Sequence, residues 1–188
     1  MAAIITALRE GIVVRERTIQ QLVPMIETTS QVIIEALRNG HKVLVFGNGG
    51  SAAEAQHLVG ELVGRYKAER RSLAAIALST DTSVLTCIGN DYSYDEVFAR
   101  QVYALAKAGD VIVGLTTSGR SANVLRGFQA ATECDAITIG LTGERGLQNA
   151  EADYVLTVSS QTTARVQEEH LVIIHCWCDA IDEAFAGM

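Results

Sequence analysis

His57 and Glu61 stand four residues apart in a helical pattern, which puts an imidazole and a carboxylate on one helix face. That pairing suits proton transfer or metal binding, and it equally suits an exposed polar face. Toward the C-terminus, Gln167 and His175 are eight residues apart, about 80° from each other around a helix axis, so both can face one site. The apolar run Leu171-Val172-Ile173-Ile174 between them puts His175 in apolar company. There it serves either catalysis or a hydrogen bond to a backbone carbonyl.

Two loops of small residues supply a complementary chemistry. Gly47-Asn48-Gly49-Gly50-Ser51-Ala52 follows the apolar run 43–46, and Thr116-Thr117-Ser118-Gly119-Arg120-Ser121 follows 110–115. A strand feeding a helix through such a loop aims unpaired N–H groups and a helix N-terminus at one spot, which favours an anion. Two such cradles point to a phosphorylated ligand. Gly47, Gly49 and Ala52 fit the loose dinucleotide pattern G-x-G-x-x-A, but the acidic residue expected about 20 positions later is missing; Asp81 comes too late. Thr116, Thr117, Ser118 and Ser121 can each donate to a compact phosphate. Gly89-Asn90-Asp91-Tyr92 reads as a turn whose polar side chains either bond sugar hydroxyls or cap a helix at Ser93.

The elements that must position these residues follow from periodicity. Residues 1–38 read as helix, ended by Asn39-Gly40, with Pro24 expected to kink it or break it in two. Strands are expected over 43–46, 74–78, 110–115, 136–141 and 154–158. Helices are expected over 51–66, 82–87, 93–107, 121–133, 146–150 and 163–185. Five alternations predict a parallel sheet with helices on both faces. One domain is expected over 1–188, a helical arm at 1–38 and an α/β core at 39–188. The charges at Arg65, Lys67, Glu69, Arg70 and Arg71 read as a solvated helix end.

Composition narrows the function. The chain of 188 residues carries a net charge of −7 and no basic run longer than Arg70-Arg71, which argues against nucleic-acid or anionic-membrane binding. No stretch reaches the length of a membrane span, and residues 1–9 show no secretory signal. Cys87, Cys134, Cys176 and Cys178 are expected to be reduced, mostly buried residues of a cytoplasmic protein, and Trp177 a packing residue.

Several segments together carry a family resemblance. They are Phe46-Gly-Asn-Gly-Gly-Ser-Ala52, His57-x-x-x-Glu61-Leu-x-Gly-Arg-Tyr66, Gly89-Asn-Asp91 and Thr117-Ser-Gly-x-Ser-Ala-Asn-Val124, then Leu141-Thr-Gly143 and Ala164-Arg-x-Gln-Glu168 followed by His175. The chain resembles the phosphoheptose isomerases, a branch of the sugar isomerase (SIS) fold, along its whole length. The resemblance implies a flavodoxin-like α/β sandwich with a five-stranded parallel sheet, assembled as a homotetramer. It implies interconversion of D-sedoheptulose 7-phosphate and D-glycero-D-manno-heptose 7-phosphate, a step that precedes heptose incorporation into lipopolysaccharide or another surface glycan.

By the same resemblance, Glu61 is the base and His175 its partner acid/base. Zinc, one per subunit, would be held by His57, Glu61, Gln167 and His175. Substrate would be bound by Asn48, Gly49, Gly50, Ser51, Glu61, Asn90, Asp91, Thr116, Thr117, Ser118, Ser121 and Gln167. Ala164 stands where some members carry an acidic residue, and Arg120 where Asn is frequent. Ser51-Ala-Ala-x-Ala-Gln-His57 and Cys176-x-Cys178-Asp179-x-Ile181-Asp182 are also in the style of a related tetrameric regulator that binds the bacterial replication initiator. Glu61 and His175 separate the enzyme from that regulator, and from a non-catalytic SIS sensor of sugar phosphates.

Overall fold

The computed structural model describes residues 1–148 and 150–187. Strands β1 (Val43–Gly47), β2 (Ala75–Ala77), β3 (Val111–Thr116), β4 (Ile137–Thr142) and β5 (Tyr154–Thr157) form one sheet in the order β2-β1-β3-β4-β5. Every pairing is parallel, with Val43 opposite Ala75 and Val111, and Val111 opposite Ile137. Parallel strands must be buried on both faces, and β1 and β3 are buried along their whole length. Alternation splits their side chains. Val43, Val45, Val111, Val113 and Leu115 face one core with helices α1, α2 and α6, while Leu44, Phe46 and Ile112 face the other with α3, α4 and α5.

The helices between these strands are α2 (Gly50–Val63), α3 (Thr82–Asp91), α4 (Ala99–Leu105) and α5 (Ala122–Glu133), with a 3₁₀ turn at Tyr94–Glu96. α1 covers Ala2–Arg38 and α6 covers Thr163–Phe185. The chain reverses direction across the sheet between β1 and β3, so the loops after those two strands open into one crevice at their carboxyl ends.

Several expectations need correction. α1 is one helix and is not broken at Pro24. Pro24 and Gln20, whose carbonyl loses its partner there, are both exposed, so water can serve that oxygen. The region 146–150 is not a helix at its described residues, and Asn149 lies outside them. The segment 93–107 divides into the 3₁₀ turn and α4. Gly89-Asn90-Asp91 is the last turn of α3, not a separate turn, and Ser93 makes no side-chain cap. All four cysteines are free, but only Cys178 is buried, because Cys87 and Cys176 lie on outward helix faces. Burial first, then the nearby Glu61 and Asp182 carboxylates, push the Cys178 thiol up to about 12.

α1 lies along α6 and is not a free arm. Trp177 is fully buried, and its Nε1 donates to Thr29 Oγ1 at 2.9 Å. The first half of α1 nevertheless presents Ile4, Ile5, Leu8, Ile12 and Ile19 to the outside. Arg70, expected on a solvated helix end, is instead buried against Asp182 at 2.9 Å. Its guanidinium donates to the Glu61 and Leu62 carbonyls at 2.6 and 3.0 Å, closing the C-terminal end of α2.

Asp182 also accepts the N–H groups of Lys67 and Ala68, both at 2.7 Å. Burial opposes ionisation, but these N–H groups and the Arg70 guanidinium outweigh it and hold the carboxyl below its usual range. Its stabilisation is therefore present above about pH 4 and lost as pH falls through the lower folded value. Asp182→Asn is expected to destabilise the protein by about 3 kcal/mol at pH 7. Calorimetry across pH should show the gap from the unmodified chain closing in acid.

Candidate active site

The helix that leaves the first loop and the helix that ends the chain meet edge to edge. His57 and Glu61 lie one turn apart on α2, and His175 on α6 points at them. His57 Nε2 is 2.9 Å from His175 Nε2 and 3.3 Å from Glu61 Oε1. Two imidazole nitrogens at that distance share one hydrogen bond, so one carries a proton and the other offers a lone pair. Burial, and then the charge on neighbouring His57, push the His175 pKa below its ordinary value, with Glu61 opposing. His175 is therefore a neutral imidazole near pH 7 and can take a proton.

His175 is half-buried, and its company is aromatic and polar in place of the apolar surroundings expected. The Tyr66 ring stacks on it, with centroids 5.4 Å apart and planes 21° from parallel. Arg70 and Asp182 pin the segment that delivers Tyr66, and Lys67 reaches across to Asp179 at 2.7 Å. Sequence reasoning assigned Tyr66 no role, although it belongs to the run from His57 that carries the resemblance.

The two loops are held together by a pair of amides. Asn48 Nδ2 donates to Asn123 Oδ1 at 2.8 Å, and Asn123 Nδ2 returns the bond to Asn48 Oδ1 at 2.9 Å. Tyr94 adds a third bond, its hydroxyl donating to Asn48 Oδ1 at 3.2 Å. Asn123 is buried at the start of α5, where only the run 117–124 hinted at it. Gly50 lets α6 approach: a Cβ there would fall inside the Gln167 amide, so Gln167 closes over the first loop. Ser51 is buried in the first turn of α2. Gly49 has φ +57, a left-handed conformation that glycine adopts without strain.

In the second loop, Thr116 is buried; its hydroxyl accepts the Gly119 N–H at 3.2 Å and lies 3.3 Å from Ser121 Oγ. It braces the loop from inside. Thr117, Ser118, Arg120, Arg145 and Ser160 line a polar cleft of about 210 Å³. Its guanidinium and hydroxyl groups suit an anion, with Glu144 the one carboxylate on its wall. Asn90 and Asp91 are exposed at the end of α3 and bonded to each other at 2.7 Å. Among the described residues, no hydrogen bond joins them to either loop.

Among the described residues, no three His, Cys, Asp or Glu side chains are arranged as a metal cluster. His57, Glu61 and His175 touch one another directly instead. Their atoms are of the kind zinc takes, two imidazole nitrogens and a carboxylate oxygen.

A parallel sheet with paired loops at its switch point, and ionisable side chains where α2 and α6 meet, is the layout of a ligand-binding α/β domain. Residues 8–143 match the SIS domain family. A phosphoheptose isomerase from Geotalea daltonii is 53% identical over 169 residues, covering 89% of this chain and 88% of its own. The structure of a phosphoheptose isomerase from Neisseria gonorrhoeae superposes with a TM-score of 0.88 at 42% identity, covering 97% of this chain and 98% of its own. One from Francisella tularensis gives 0.91 at 36%, with 97% of each covered. The chain belongs to the SIS domain family and, within it, to the phosphoheptose isomerases.

Gly119, with φ +66, sits so close to the 146 region that a Cβ would overlap the Gly146 carbonyl oxygen. Gly119→Ala should displace the second loop and raise KM for a sugar phosphate by about tenfold or more, at a cost in stability of about 1–3 kcal/mol. Steady-state kinetics with a thermal melt check both.

Proposed function

We infer that this chain interconverts D-sedoheptulose 7-phosphate and D-glycero-D-manno-heptose 7-phosphate by proton transfer through an enediol. The observation that carries this is the convergence of His57, Glu61 and His175 where α2, which leaves the first cradle, meets α6. An aldose–ketose isomerisation needs a base for the proton on the carbon next to the carbonyl and an acid for the oxygens. Glu61 takes the role of base. His175, neutral and oriented by Tyr66 and His57, exchanges protons with the sugar oxygens from the other side. The second loop and its cleft hold the phosphate, while Asn48, Gly49, Gly50 and Gln167 wall in the sugar. Asn90 and Asp91 reach the sugar from the rim. A non-catalytic binder of a replication initiator is not favoured, since the relatives compared are isomerases.

The resident metal we assign is zinc, with His57, Glu61 and His175 as ligands and Gln167 as the fourth. Bound there, it would polarise the oxygens on the reacting carbons. The Ile4, Leu8 and Ile12 stripe on α1 supports assembly with further copies of this chain, and we propose a homotetramer. The four free cysteines support a reducing compartment, and we propose the cytoplasm; among the described residues no helix is long and apolar enough to cross a membrane.

Incubation with sedoheptulose 7-phosphate should yield the aldose. Glu61→Gln should keep the melting temperature and lower kcat by about 10²–10⁴-fold, because an amide cannot accept the proton. A variant with near-normal turnover refutes the assignment of the base. Exhaustive chelation should remove zinc, read by elemental analysis, and reduce activity, with zinc restoring it. Full activity in metal-free protein rules the metal out.

A further inference from the structure

A second glutamate–histidine contact joins the same two helices, out of reach of solvent. Glu54 lies on α2 one turn before His57, and His170 lies on α6 between Gln167 and His175. Their side chains are 11% and 0% exposed, yet both are ionisable. Burying such groups costs stability unless they are paired or hydrogen-bonded. His170 Nε2 lies 3.3 Å from the Thr142 carbonyl oxygen, which can only accept, so Nε2 carries a proton. That leaves His170 Nδ1 facing Glu54 Oε2 at 3.7 Å. Among the described residues, neither atom has a hydrogen-bond partner. Two bare lone pairs would repel there, so a proton on one of the pair is required.

The contact sits close to both loops and on both helices of the site. Glu54 is one turn beyond Ser51 of the first loop. Thr142 ends β4, and next to it Gly143 packs so tightly that a Cβ would overlap the Thr117 carbonyl oxygen of the second loop. α2 and α6 together carry His57, Glu61, Gln167 and His175. We propose that Glu54 and His170 are positioning residues for the isomerisation, a buried one-proton couple that fixes the separation of α2 and α6, and with it the His57–His175–Glu61 geometry. This rests on the isomerase reading above. It adds two residues to that reading, neither of which touches the sugar.

The test compares Glu54→Gln, His170→Gln and the double variant of the full chain, each isosteric or nearly so. A shift of about 1 Å between the helices is expected to lower kcat by about 10–100-fold with KM within about threefold, well below the melting temperature. The double variant should lose no more than the worse single one, and Glu54→Asp should recover part of the rate. With only four histidines in the chain, ¹⁵N-histidine NMR resolves His57 and His175 individually. Their ring resonances should move in Glu54→Gln and His170→Gln. Unchanged kcat with unmoved resonances, or losses that simply add, overturn the proposal. If His170→Gln does not fold, Glu54→Gln alone decides it by the same two readouts. If the unmodified chain does not turn over sedoheptulose 7-phosphate, the isomerase reading falls, and the NMR comparison still tells whether the couple sets the His57–His175 contact.

Discussion

The packing of α6 against α2 over a shared apolar layer is what brings His57, Glu61 and His175 together. Ala55, Leu58 and Leu62 meet Val166, Ile173, Ile174 and Cys178 within one buried core. Interiors packed to crystal-like density allow little play, so the polar atoms at the edge of that layer inherit its precision. The 2.9 Å contact between His57 and His175 is a reading of how well those aliphatic groups fit. The site's precision rests on this apolar packing together with the polar contacts that cross it.

Charges buried around this layer follow one rule: each has a specific partner from another element. Asp182 on α6 holds Arg70 and two N–H groups of the segment after α2. Glu169 is paired with Arg15 of α1 at 2.9 Å. Asp110 at the start of β3 takes Lys42 and the N–H of Lys107. None of these pairs reaches a candidate proton-transfer atom. They fix how the helices and loops meet, since a buried charge loses heavily if its partner moves away.

Much of this was legible in the chain. The β-type runs located all five strands, most clearly β1 and β3, which are buried on both faces and so read as nearly continuous apolar runs. The His57–Glu61 spacing and the two small-residue loops announced the site. What escaped was decided by distant partners. Nothing local to Arg70 told of Asp182, and nothing local to Glu54 told of His170, since each pair lies more than a hundred residues apart. Pro24 did not break α1, because the cost of a proline depends on whether the freed carbonyl reaches water, which is a tertiary fact. Asn90 and Asp91 carry turn composition, but the last turn of a helix accepts the same residues.

The bond from Trp177 to Thr29 joins groups 148 residues apart, which has a consequence for how this chain is made. Synthesis proceeds from the N-terminus, so α1 leaves the ribosome long before the helix that covers it exists. Until α6 follows, Ile33, Ile34 and Leu37 lack the part of their core that Ile173, Ile174, Trp177 and Ile181 supply. α6, more than a hundred residues downstream, is the element that covers α1, and the same closure brings His175 to His57. Neither the burial of α1 nor the His57–His175 contact can therefore exist before α6 has been made.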